Sequence, residues 1–285
     1  MVAALMASPA AAQTQKQAPA PKDGSAVQRT SPSEEKSAAA PVTVVAAPPS
    51  VSPAPILPLP KVTPTPASEP LALALATTLS PESLTRRILE RAYTVTLPGL
   101  LQKNTQFVAL ESAYPGVIKV VLAAERSVTE PHALAALPAL RKAMTRVFVD
   151  YLTPDELGEL KQFYEGPVGQ KAIAAAGDGV DLTAIARRNL NGDETPLQAS
   201  DIRQAGRNAG AKLVDGLSEE ELPQLAAFGL SPVGRKWRRL QPMLAQARAA
   251  ADNASASEIK TKAEDAVAQA VQAFIKEADA KKKAP

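Results

Sequence analysis

The sequence predicts an all-α fold: a helical bundle built from two related helix-turn-helix units, preceded by a disordered Pro/Ala-rich tether. Three observations carry this expectation. A 22-residue segment recurs 65 residues downstream with helix start and stop signals in both copies. Apolar residues beyond residue 75 recur at helical spacing. Finally, 14 of the 26 prolines fall in the first 70 residues, so the chain has two compositions.

The organisation follows in chain order: residues 1–12 as a truncated signal peptide, 13–75 as linker, 76–250 as the helical domain, and 251–285 as a C-terminal amphipathic helix with a Lys-rich tail. Val2–Ala12 is apolar and ends with Ala10 and Ala12 at the −3 and −1 positions of a signal-peptidase site. A positive n-region and a full-length apolar core are missing, so the expected start lies upstream of Met1. From Gln13 to about Pro70 the chain is mainly Pro, Ala, Ser, Thr, Gln and Val, with few charges. Such a tract buries too little apolar surface to offset its ordering entropy, and its prolines oppose helix interiors and ladders alike. It reads as a partly polyproline-II tether of an exported, periplasmic or envelope protein.

Ser80-Pro81-Glu82 reads as an N-cap followed by proline at the first helical position, with Leu84, Ile88, Leu89 and Ala92 as the stripe. Pro98-Gly99 interrupts it. Leu100 to Leu110 sketch a second helix ending near Tyr114-Pro115-Gly116. Val117–Arg126 is rich in β-branched residues and is assigned to helix because its neighbours are helical. A longer helix spans Pro131 to Leu152, with its first turns separated or kinked at Pro138.

The repeat sets Asp150–Lys171 against Asp215–Lys236 without gaps. Ten of the 22 positions are identical, where chance gives about one or two. Thr153 with Glu156, and Ser218 with Glu221, have capping-box spacing. Leu157, Leu160 and Phe163, and their counterparts Leu222, Leu225 and Phe228, form an apolar stripe. Gly166-Pro167 and Ser231-Pro232 stop one helix and start the next, while Gly169 and Gly234 permit close backbone approach. The repeated units extend over about 131–176 and 197–245, with Leu197–Leu213 supplying the second copy's first helix. Ile259, Ala263, Ala266, Val267, Ala270, Val271 and Phe274 form one more helical stripe. It fits a helix packed on the domain; a partner-binding or surface-lying helix is the alternative. Lys281-Lys282-Lys283 reads as a solvated tail.

The pattern Leu-Thr-x-Asp-Glu-Leu-x-x-Leu-x-x-Phe-Tyr-x-Gly-Pro-Val-Gly-x-Lys at Leu152–Lys171 resembles the core motif of the family called domain of unknown function 2059. The second copy departs from it with Gly229 in place of the Tyr, Leu230 before Ser231, and Pro223. The resemblance implies a small exported bacterial helical domain. It implies no catalytic residues.

Composition excludes several chemistries. With no cysteine there are no disulfides, thiolate metal sites or thiol nucleophiles. His132 is the only histidine, which rules out His-paired metal sites and leaves any Ser-His-Asp triad dependent on one residue beside Pro131. The acidic pairs at Asp155/Glu156 and Glu219–Glu221 sit in first helical turns, where they complement the dipole. Gly177–Asp181 and Asn191–Glu194 lack EF-hand spacing and read as turns. Gly206 and Gly210 suggest close helix packing. Through residue 75 there are 5 positive and 4 negative side chains, leaving 27 against 25 beyond, so neither part has a nucleic-acid-binding excess. No apolar run of 18 or more residues is present to span a membrane; peripheral contact stays open.

The sequence therefore reads as a non-enzymatic, cofactor-free and metal-free envelope module that binds or scaffolds a protein or another envelope component. Its candidate contacts are Phe163, Tyr164, Phe228 and Trp237 in a groove between the repeats, with Arg235, Arg238 and Arg239 beside the Trp. Two alternatives stand: a histidine-independent hydrolase-type enzyme using carboxylates, and a binder of anionic lipid or peptidoglycan surfaces.

Overall fold

The computed structural model describes residues 59–283, and the proposed signal peptide and most of the linker lie outside them. The described residues are predominantly helical, with no strand among them. In chain order the helices are α1 (Ser68–Leu79), α2 (Glu82–Arg91), α3 (Leu97–Leu101), α4 (Thr105–Ala113), α5 (Val117–Ala135), α6 (Leu137–Tyr151), α7 (Pro154–Glu165), α8 (Pro167–Gly179), α9 (Thr183–Leu190), α10 (Ala199–Ala205), α11 (Arg207–Asp215), α12 (Leu222–Leu230), α13 (Pro232–Asn253) and α14 (Ala256–Lys283).

The folded unit begins earlier than composition suggests. Residues 59–75, assigned to the linker, contain most of α1, whose Ala72, Leu75 and Ala76 are fully buried against α6 and α7. Despite four nearby prolines, Ser68, Ala72, Leu75, Ala76 and Leu79 align on one helical face. Ahead of α1, the Val62 amide donates to the Asp150 carbonyl at 2.9 Å, and the Lys61 ammonium meets the Asp150 carboxylate at 2.7 Å. Ser80 is not an N-cap. It ends α1, its hydroxyl donating to the Ala76 carbonyl at 2.5 Å, while the Arg141 guanidinium donates to the Ser80 carbonyl at 2.8 Å.

Pro98 does not stop the preceding helix either. A π-helical turn, Ala92–Thr96, carries α2 into α3, and a wider turn is a common way to absorb a proline that lacks an amide hydrogen. The break comes at 102–104, where the Asn104 side chain caps α4 through the Gln106 and Phe107 amides. Gly116, at φ 96°, makes the sharp turn into α5. The Glu111 carboxylate reaches across this turn to accept from the Gly116 and Ile118 amides. The β-branched run at Val117 is helical, as its context predicts. The long helix expected from Pro131 is divided: α5 passes through Pro131 and ends at Ala135, and Pro138 lies in the first turn of α6.

Two cores result. One joins α1, α6, α7 and α13 around Leu75, Phe148, Leu152, Leu157, Leu160 and Leu240. The other joins α2, α3, α5 and α9 around Leu89, Tyr93, Leu97, Leu101, Val121 and Leu190. Helix α14 lies along α5 and completes the second core with Val267 and Val271, so this stripe packs on the domain. Part of the Lys tail is engaged, with Lys281 paired to Glu277 and Lys282 held 4.8 Å from the Tyr114 ring centroid.

Candidate functional site

Each repeat begins with a helix, turns at a Pro-led junction and returns. In the first copy Thr153 and Glu156 form a complete capping box at the start of α7. The second copy keeps only half of it. The Glu221 carboxylate accepts from the Ser218 amide at 2.8 Å, but helix begins only at Leu222, with Glu221 itself as N-cap. Pro223 explains the delay: it fits the first helical turn but has no amide for a later one. At the junctions, a Cβ on Gly169 would stand 2.1 Å from the Phe163 carbonyl oxygen, and one on Gly234 1.9 Å from that of Phe228. Glycine is required there by space rather than by φ.

The copies grip each other reciprocally. Lys171 of the first copy meets Glu221 of the second at 2.6 Å, while Lys236 of the second meets Glu156 of the first at 2.7 Å. The equivalent rings Phe163 and Phe228 stack face to face, their centroids 3.6 Å apart and their planes 7° from parallel. First helices cross over to the opposite copy's last helix: α6 packs on α13, and α11 on α8. When residue i contacts j and the equivalent j contacts i, the pairing is that of an isologous dimer, here within one chain.

The predicted aromatic contacts are brought together by this pairing. Tyr164 is buried, edge-on to Phe163 at 5.1 Å and 5.5 Å from Trp237, which also lies 6.0 Å from Phe148. The rings fill the space between copies, where the sequence suggested an open groove. Arg235, Arg238 and Arg239 are exposed on α13. Arg235 donates to the Leu230 carbonyl, and Arg238 to that of Gly229 at 3.0 Å, so both serve the C-terminal end of α12, where cations offset the dipole.

A surface that no single motif indicated emerges on the second copy. In the first copy, Phe148, Leu152, Leu157 and Leu160 are 0% exposed beneath α1. In the same register the second copy has Leu213, Leu217, Leu222 and Leu225, and no described helix plays the part of α1. Leu222 is 38% exposed and neighbouring Val214 52%, while Leu213, Leu217 and Leu225 are half-buried; α11 and α12 have no buried residue at all. Apolar side chains are thus exposed together on the second copy where their equivalents in the first are covered.

Other polar sites have structural partners. His132 lies in the last turn of α5, not at a helix start, and its Nε2 is 2.9 Å from the Ser255 hydroxyl. The cavity beside this pair is about 40 Å³, room for little more than a water. A wider cleft of about 510 Å³ lies between α9, the 191–198 loop and α14. Its charges are paired, Arg188 with Asp201 and Lys260 with Glu194, and Asn253 clamps both backbone groups of Leu197 at 2.9 Å. Asp181 and Asp193 accept from the Thr183 and Thr195 amides, the turn chemistry expected of those loops. No group of three metal-ligating side chains occurs among the described residues. Gly210 has open space where the Gly-x-x-x-Gly spacing suggested packing; the close approach is that of Gly179, whose Cβ would lie 2.4 Å from Ala209 Cα.

Glu125 stands apart. It is fully buried in α5, and neither carboxylate oxygen has a hydrogen-bond partner among the described residues. Burial pushes its pKa up to about 7. One turn on, Thr129 donates to the Glu125 carbonyl and bonds the buried Tyr93 hydroxyl.

Residues 138–178, from the first turn of α6 to the last turn of α8, match a family model. The family is described as uncharacterized protein conserved in bacteria, DUF2059. The matched DUF2059 segment is thus the first copy, including its capping box, Pro-led junction and Tyr164. No curated protein and no solved structure matched the chain.

Proposed function

We propose that this chain is an exported, non-enzymatic module of the bacterial envelope that binds or scaffolds another protein through the outer face of α11 and α12. The observation that carries this reading is the contrast between copies: side chains wholly covered in the first have exposed or half-buried equivalents in the second. The carboxylates that invited an enzymatic reading support it too, since Glu156 and Glu221 are each committed to a cap and to a lysine of the other copy. The anionic-surface alternative has less support, because Arg235 and Arg238 are engaged by α12 carbonyls.

The test compares two baits in an envelope extract, the native chain and the Val214→Glu/Leu222→Glu variant. Both positions are exposed, so the variant keeps its fold. A partner retained by the first bait and lost by the second is expected; identical captures would contradict the assignment. Export is tested separately, with a reporter fused after residue 75 and the upstream genomic codons restored. A cytoplasmic reporter would rule out the envelope.

A further inference from the structure

We infer that the α11–α12 face takes a short Ala/Leu-rich helix from another polypeptide, led in by a lysine, in the way that residues 59–79 occupy the equivalent face of the first copy. The inference rests on the binding role proposed above and specifies its ligand.

The first copy shows what fits. Helix α1 lays Ala72, Leu75 and Ala76 onto α6 and α7, with Leu71 and Leu79 packed at the edges of the same core. Alanines let its backbone approach closely, and leucines enter the spaces around Leu152, Leu157 and Leu160. The lead-in is held by polar contacts. Lys61 pairs with the Asp150 carboxylate, and the Val62 amide donates to the Asp150 carbonyl.

The second copy keeps the receiving chemistry. Leu217, Leu222 and Leu225 repeat the three leucines, and Asp215 repeats Asp150. Asp215 is exposed, and no salt bridge to it is found among the described residues, so its counterpart's task is open. Two parts are not repeated. Gly216 replaces Tyr151, over whose ring Lys61 lies at 5.9 Å, and Gly206 replaces Arg141, which holds the end of α1. The ligand is therefore anchored by its lysine and its first two apolar turns, and is free at its C-terminal end.

Among the described residues the occupant has no second source. The described residues contain one helix of this type, and it is already in place. Exchanging it between two copies would uncover one face for each face it covers.

The test uses the chain's own sequence as probe: a fluorescent peptide of residues 59–80, titrated into the full chain and read by anisotropy. Saturable binding is expected. Leu217→Glu or Leu225→Glu should weaken it by about tenfold or more, the scale of losing one buried leucine. Asp215→Asn should weaken it several-fold and reduce its salt dependence. The corresponding peptide with Lys61→Gln should be insensitive to Asp215→Asn, a coupling that unspecific apolar adhesion would not produce. Circular dichroism verifies that each variant is folded.

Absence of saturable binding would overturn the inference. So would binding that survives both leucine variants, which would mean exchange with α1 on the first copy. Concentration-dependent dimerisation of the native chain, abolished by Leu225→Glu, would assign the face to a second copy instead and overturn it as well. The binding role itself fails on the extract comparison: a face-dependent partner that the peptide does not displace leaves that role standing and removes only the helical ligand.

Discussion

At the residue scale, the side chains with the largest consequences are those placed against expectation. Glu125 is ionised in water at neutral pH, with an ordinary pKa of 4.5, and its burial raises that to about 7. Below pH 4.5 the carboxyl is neutral in both folded and unfolded chains. From there to about pH 7 the folded chain holds a proton that the unfolded chain has released, so stability falls as pH rises. The full loss is about 3 kcal/mol. Glu125→Met should therefore be more stable than the parent at pH 8. Chemical denaturation should show that gap narrowing by about 3 kcal/mol on acidification to pH 4; a gap independent of pH would contradict the assignment. Gly169→Ala tests the opposite kind of residue. Its Cβ would collide with backbone that cannot move aside, so we expect a loss of about 2–4 kcal/mol in the same assay. The sequence flagged Gly169 through the repeat. Glu125 is legible only by register, since the i+4 row Val117, Val121, Thr129 and Ala133 carries it onto the inner face, whereas its residue type points to the outer.

At the scale of elements, the two copies use the same letters for different work. Thr153 caps α7 through the Glu156 amide, whereas Ser218 stands four residues ahead of α12 and makes no such bond. Thr153→Ala should cost about 1 kcal/mol and Ser218→Ala a few tenths, measured as shifts in the denaturation midpoint. Equal costs would mean that the second box is intact. The crossed ion pairs invite a double-mutant cycle on Lys236 and Glu156, whose side chains are 18% and 26% exposed. A coupling of about 1 kcal/mol is expected, since the pair is only partly shielded. Most of these elements are legible from sequence, because caps, prolines and stripes act locally. What is not legible is which helix each stripe faces. Phe163 and Phe228 look like core residues of separate units, and only the pairing places their rings on each other. Helix α1 is hard to read for a related reason: prolines at 60, 64, 66 and 70 hide a stripe that begins only at Ser68.

For the whole molecule, the central claim is that a repeated helical unit has paired with itself, and that one of its two equivalent outer faces is covered by α1 while no described helix covers the other. The sequence shows the duplication, and the fold class follows from it. The asymmetry does not follow, because it depends on where a single helix outside the repeat comes to rest. Amide hydrogen exchange followed by mass spectrometry on the native chain reads that asymmetry directly. Exchange in α6 and α7 proceeds only through opening of a core that includes α1, whereas α11 and α12 have no buried residue to hold them closed. The expected result is protection of α6 and α7 exceeding that of α11 and α12 by about 100-fold. Comparable protection in the two pairs would contradict the claim of an open second face.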